Sequence, residues 1–196
     1  ERSVNGVCRM IKAGDAREAA AEAASFLFLD VDGVLNTCLM SGGARVHPKL
    51  MRRLANIVKE TNCGVILSST WRLDEPYYSV LLDALTEVGV NSESIIGFTP
   101  TIEPKRHLRQ DGTYGVIKGA VELQRCQEIL AWLDEHRLNQ QRWAVLDDLN
   151  LADIKDTTVI NKMRSHLVKT NPEAGLTENN VQQVTCMLLG GTHMRE

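Results

Sequence analysis

Aromatic side chains are scarce in this chain, at 5% of residues, while hydrophobic residues as a whole make up 43%. A core built from such material is expected to be aliphatic. Long apolar runs are missing too. None approaches the ~18–20 residues that span a bilayer, and the start carries no secretory signal pattern, so no membrane partner is expected. The first residue is Glu rather than Met, which reads as a piece of a longer chain. Neither sign of charge dominates: 22 basic residues face 25 acidic ones, for a formal net charge of −3. That balance argues against wholesale capture by nucleic acid or anionic membrane, while leaving room for a local basic patch. The five cysteines (Cys8, Cys38, Cys63, Cys126, Cys186) contain no C-x-x-C pair. Their odd number and wide spacing point to reduced thiols in a cytoplasmic compartment rather than to disulfides or a zinc site. His47 and His107 show no metal-ligand spacing, and nothing identifies a partner protein.

What is present is an alternation of short apolar runs and helical patterns. The Ala-rich stretch 15–24 has strong helix formers behind Asp15, which predicts an accessory helix in an N-terminal extension, 1–24. Phe26–Leu29 is a short buried strand. Residues 48–60 place Leu50, Leu54, Ile57 and Val58 at helical spacing behind Pro48. A second strand follows at 63–69, a helix at 76–89, and a short apolar element at 94–97. Residues 97–119 read as a loop or small hairpin. A helix is predicted over 126–136, a strand over 142–150, another over 165–171, and a helix over 175–189 with Thr177 as its cap. Strands separated by helices imply βα units, hence an α/β fold with a mainly parallel sheet covered on both faces. One domain, 25–190, and a tail, 191–196, complete the organisation.

The run Ser25–Leu29 ends at Asp30-Val31-Asp32-Gly33-Val34-Leu35-Asn36. A carboxylate beside a core strand costs desolvation energy, and two so close repel each other. The second strand ends at Ser68 and Ser69, and the strand over 142–150 ends at Asp147 and Asp148. In an open α/β sheet, ligands bind beyond the carboxyl ends of the strands. Parallel neighbours would therefore gather all these groups at one edge. Several carboxylates without a His or Cys cluster call for a hard cation, and Mg²⁺ fits. A carboxylate and a metal facing a phosphate give a route to phosphoryl transfer.

The three strand ends together resemble the haloacid dehalogenase (HAD) superfamily of aspartate-nucleophile phosphatases. Its first motif, D-x-D-G-[VT]-[LV], is matched by Asp30 to Leu35, its second by Ser68, and its acidic pair by Asp147-Asp148. "SSTWR", "EILAWLDEH", "AVLDD" and "GLT" are similar to the HAD branch of RNA-repair proteins, which includes relatives of the polynucleotide kinase-phosphatase domain. The resemblance implies a Rossmann-like three-layer fold with Asp30 as nucleophile, forming an aspartyl-phosphate, and Asp32 as general acid and then base. Gly33 would let the chain turn toward the phosphate and bring amides to it. Ser68 would bond a phosphoryl oxygen, with Ser69 and Thr70 beside it. Asp148, assisted by Asp147, would hold Mg²⁺ with Asp30 and the carbonyl of Asp32. The family's basic residue, at the start of the helix before the acidic pair, is either Arg125 or Lys118. Asp153 either supports the metal or starts a helix.

Trp71 and Arg72 either stack on and clamp a nucleotide or pack beneath the loop. The basic stretch Pro104–Arg109 either meets a polyanion or is simply solvated. HAD enzymes select substrates through insertions, and here both are small: 36–47 after the first motif, and roughly 73–120 after the second. A lightly covered site suits bulky substrates. The expected function is therefore a Mg²⁺-dependent phosphomonoesterase acting on terminal phosphates of nucleic acids or nucleotides. The alternatives are a phosphoprotein phosphatase of the same chemistry and a catalytically silent binding module.

Overall fold

In the computed structural model, residues 23–40, 45–104, 106–108, 114–138, 140–154 and 156–191 are described. Five parallel strands form the central sheet: β1 (Ser25–Leu29), β2 (Gly64–Leu67), β3 (Ile95–Phe98), β6 (Arg142–Asp147) and β7 (Leu167–Lys169). Their order is β3-β2-β1-β6-β7. β4 (Arg106–Leu108) and β5 (Tyr114–Val116) make a separate antiparallel hairpin. The helices are α1 (Pro48–Thr61), α2 (Glu75–Glu87), α3 (Ala120–His136), α4 (Thr157–Met163) and α5 (Glu178–Leu189).

The alternation along β1 decides what lies above and below the sheet. Leu27 and Leu29 face a layer formed by α1, α2 and α5, through Leu54, Ile57, Leu81, Leu85, Val184 and Leu188. Phe26 and Phe28 face the opposite layer, where α3 and α4 contribute Ile129, Trp132, Leu133 and Met163. Burying each of these side chains contributes about 1.5–3 kcal/mol. The aliphatic expectation holds mainly for the first layer. In the second, Phe28 meets Trp132 and Trp143 edge-on at 5.6 and 6.0 Å, and Phe26 lies 5.9 Å from Trp132. Period-2 spacing sends Phe26 and Phe28 to the face that also holds Trp132 and Trp143, while Trp71, Tyr78 and Phe98 join the first layer.

Helix boundaries follow local chemistry. Pro48 starts α1, and the His47 ring nitrogen accepts the Lys49 N–H at 3.1 Å. α5 begins with the reciprocal bonds of a capping box between Thr177 and Asn180, so Thr177 is the cap expected.

Three expectations are corrected. α3 begins at Ala120 rather than at residue 126, because Ala120-Val121-Glu122-Leu123-Gln124-Arg125 consists mostly of good helix formers. α4 was not foreseen; its cap is Asp156, which accepts the Thr158 and Val159 N–H groups, and Asp153 lies in the preceding turn, exposed. Finally, α2 and β3 belong to the sheet and its cover, since Leu81, Leu85 and Ile95 are buried in the first layer. The insertion after the second strand therefore shrinks to roughly 99–119 with its hairpin. Residues 15–22 of the Ala-rich helix and 192–196 of the tail lie outside the described residues, as do 41–44, Lys105 and Arg109. Among the described residues, no helix is long and apolar enough to cross a membrane.

Candidate active site

β1 is the strand at which the topology changes direction: the chain runs outward through β2 and β3 on one side, while β6 and β7 lie on the other. Crevices of this kind bind ligands at the carboxyl edge. The register brings the expected groups abreast there. Leu29 pairs with Leu67 and with Leu146, so Asp30, Ser68 and Asp147 are the next residues on three adjacent strands. The ladder continues one step further through Ser68 N–H to Leu29 O, Asp30 N–H to Leu146 O and Thr170 N–H to Asp147 O.

Asp30, Asp147 and Asp148 converge, each offering a carboxylate oxygen within 4.8 Å of the others. Asp30 is 6% exposed and Asp147 1% exposed. Such a set is costly without compensating charge, and α3 supplies one. The Arg125 Nη1 group lies 2.8 Å from Asp147 Oδ2 and 3.2 Å from Asp30 Oδ2. Arg125 sits in the second turn of α3, inside the helix rather than before it. Lys118 is exposed, ahead of the helix, and takes no part in this cluster. Burial works against the Arg125 charge, but Asp30 and Asp147 more than offset it, and its pKa is raised. Burial pushes the Asp147 carboxyl up to about 7, against the pull of Arg125 and with the help of Asp30. Asp148 is also shifted upward, by burial and then by Asp30. Asp147 is further engaged by the Leu149 N–H at 2.9 Å. Asp148 is half-buried and rests against Gly33.

Gly33 has φ +71°, and a Cβ built on it would stand 2.6 Å from the Asp148 carboxyl carbon. Only glycine allows both the turn and this approach. The turn is fastened at two points. Gly33 N–H donates to Asn36 Oδ1 at 3.0 Å, and the Thr170 hydroxyl donates to Gly33 O at 2.8 Å. The Gly33 amide is thus engaged within the loop.

Asp32, exposed beyond the strand, is held by neutral donors. Asn36 Nδ2 donates to its Oδ1 at 2.7 Å, and the Trp71 indole Nε1–H donates to its Oδ2 at 3.0 Å. Trp71 is 3% exposed and meets Tyr77 edge-on at 5.0 Å, so its ring faces are covered by protein. If Asp32 left, a buried N–H would lose its acceptor, at a cost of about 1–3 kcal/mol.

Ser68 is buried and accepts a bond from the Thr99 hydroxyl at 3.4 Å. Ser69 is also buried and caps the short 3-10 turn Thr70–Leu73 through the Trp71 N–H. Thr70 is exposed. Arg72 points inward. Its guanidinium donates to Ser69 O at 2.6 Å, Thr99 O at 3.0 Å and Pro100 O at 3.2 Å, and it pairs with Glu128 at 3.2 Å. The paired side chains are 4% and 1% exposed. Glu128 also accepts the Ile102 N–H and the Gln124 amide. Burial lowers the Arg72 pKa, and Glu128 opposes that shift. Trp71 and Arg72 therefore pack beneath the loop in this structure.

Sequence reasoning missed Asn36, Thr170 and Glu128. Asn36 was visible three residues after Gly33, at the reach of a turn-closing amide. Glu128 was visible as an acidic residue one helical turn from Arg125, on a helix side otherwise holding Cys126 and Ile129. Thr170 is distant in sequence and left no signal.

The all-oxygen donor set formed by Asp30, Asp148 and Asp147 suits a hard divalent cation. Sheet order and carboxylate placement are those of a HAD-type domain. The chain belongs to the family of HAD domains in Swiss Army Knife RNA repair proteins, which matches residues 26–181. No curated protein and no solved structure matches it.

Proposed function

We propose that the protein is a Mg²⁺-dependent phosphomonoesterase. The observation that carries this reading is the convergence of Asp30, Asp147 and Asp148 around Arg125, with Asp32 two residues beyond Asp30. Asp30 and Asp148, with the Asp32 carbonyl, would hold the cation, and Asp147 would assist. When bound, the cation lets an anionic phosphate approach the carboxylates by neutralising charge.

The residues then divide the work. An Asp30 carboxylate oxygen attacks phosphorus, and the bond from phosphorus to the leaving oxygen breaks. That oxygen takes a proton from the Asp32 carboxyl group. Asp32, now a carboxylate, takes a proton from water as the water oxygen attacks phosphorus, and the bond to Asp30 breaks. Inorganic phosphate leaves, and both aspartates are restored. Arg125 stabilises the nucleophile and the developing charge, and the Ser68 hydroxyl contacts a phosphoryl oxygen. Lys118, exposed ahead of α3, is set aside for this role.

The substrate class we favour is the terminal phosphate of a nucleic acid or nucleotide. The family's description as RNA-repair domains supports it, as does the small insertion over the site. The test is phosphate release from 3′- and 5′-phosphorylated oligonucleotides, mononucleotides and phosphopeptides, with and without Mg²⁺. Metal-dependent hydrolysis of oligonucleotide ends is expected. Hydrolysis of phosphopeptides alone would give the protein-phosphatase alternative, and silence across the panel would give a binding module.

A further inference from the structure

Trp71 has no place in the chemistry just described, yet its single polar atom is committed to the residue that moves the protons. We infer that Trp71 is a positioning residue whose indole N–H aims the Asp32 carboxyl group at the leaving oxygen. The inference rests on the phosphatase reading above.

Asp32 stands outside the strand, exposed, where a carboxyl group ordinarily rotates freely. Two donors restrict it, Asn36 on Oδ1 and Trp71 on Oδ2. They differ in what holds them. Asn36 belongs to the same loop and moves with Asp32. Trp71 comes from the turn after β2, is anchored by the Ser69 cap, and is buried against Tyr77. It is thus the fixed point against which the loop is set.

The chemistry of the donor also fits. An indole N–H donates and cannot accept, so it never takes the Asp32 proton. It is neutral, so it orients the group without the ionic grip that a guanidinium imposes on a carboxylate. A hydroxyl in its place could accept the proton, and an arginine would resist its arrival. Trp71 leaves the proton free for the substrate.

Orientation of an acid matters most when the leaving group is poor. General acid help contributes about 10²–10⁴-fold where the departing oxygen needs a proton, and little where it does not. The experiment compares wild type with Trp71→Phe on phosphate monoesters from 2,4-dinitrophenyl phosphate to simple alkyl phosphates. Asp32→Asn and the double variant are run alongside.

Trp71→Phe is expected to lose roughly tenfold or more in kcat on the alkyl esters, a part of that general-acid term. It should lose little in forming the phosphoenzyme from the dinitrophenyl ester. In the Asp32→Asn background the same change should add almost nothing. A loss of equal size across the series, or one that persists without Asp32, indicates mere packing and overturns the inference.

A readout without activity is the indole N–H resonance of Trp71, assigned by its disappearance in Trp71→Phe. It is expected to shift in Asp32→Ala, a change at an exposed position. A resonance that Asp32→Ala leaves unmoved, where wild type hydrolyses phosphate esters, overturns this inference alone. Absence of hydrolysis by wild type on every ester overturns the phosphatase reading, and the catalytic part of this inference with it.

Discussion

Asp30 and Asp32 are separated by one residue and live in opposite surroundings. Asp30 is buried among charges: Arg125 at 3.2 Å and two further carboxylates within 4.8 Å. Asp32 is exposed and touched by neutral donors, an amide and an indole. The ionic side is fixed by α3, and the neutral side by the turn after β2. In the proposed mechanism Asp30 attacks phosphorus and helps hold the cation, and it lies among charges. In the proposed mechanism Asp32 gives up and regains a proton, and an amide and an indole orient it. The difference teaches what leaving a strand achieves: residues i and i+2 within β1 would share one face, whereas the turn beyond Leu29 separates Asp30 from Asp32. That turn hands two chemically identical residues to two different kinds of neighbour.

The sharpest way to break the contrast is to neutralise each aspartate in turn. Asp30→Asn removes the proposed nucleophile, and phosphate release is expected to fall on the order of 10³-fold or more on every ester. Asp32→Asn should spare phosphoenzyme formation from activated esters, as burst kinetics would reveal. Equal losses in both variants on all esters would erase the distinction.

Next in size is the buried pair behind the ionic side. Arg72→Ala leaves Glu128 buried and uncompensated, and a loss of about 3–5 kcal/mol is expected in denaturant unfolding. Replacing Arg72 and Glu128 together by Met and Leu should cost less than the sum of the single changes. Additive losses would show that the two do not act as a pair. Asn36→Ala removes the bonds to Asp32 and to the Gly33 N–H, and a loss of about 1–3 kcal/mol is expected. An unchanged unfolding midpoint would mean that Thr170 alone fastens the turn.

The smallest effect concerns His166, which stacks on Trp143 at 3.7 Å, far from either aspartate in the chain. Burial lowers its pKa, with the Trp143 carbonyl bond opposing. Its contribution to stability is therefore complete above the unfolded value near 6.5 and is lost as pH falls toward the folded value. His166→Gln should flatten that part of the stability profile, measured as unfolding midpoints between about pH 5 and 8.

The sheet was largely legible because its signals are local. Phe26–Leu29, Val65–Leu67 and Trp143–Leu146 are short apolar runs cut off by polar residues, and Asp30, Ser68 and Asp147 stand where those runs stop. Choosing between Arg125 and Lys118 required the helix start. That start was hidden because Gly119 offers no side-chain cap and Val121 is exposed in the first turn, which blurs the apolar stripe. α4 was missed because seven residues carry too little periodicity to register. The Trp71–Asp32 bond joins residues 39 positions apart, and only the folded loops define it. In sequence Arg72 stays open between clamping a nucleotide and packing beneath the loop, because its partner Glu128 lies 56 residues on.

That Arg72–Glu128 node has a consequence for how the domain can be rebuilt. It gathers the carbonyls of Ser69, Thr99 and Pro100 and the Ile102 N–H, so the chain leaving β3 is tethered as far as residue 102. At the other end, α3 is anchored by Cys126, Ile129 and Trp132 in the second layer. Because both flanks are held, the hairpin between them is expected to accept replacement by a longer or differently charged segment. A version carrying a short Gly-Ser link in its place should keep its unfolding midpoint while its preference among phosphate esters changes.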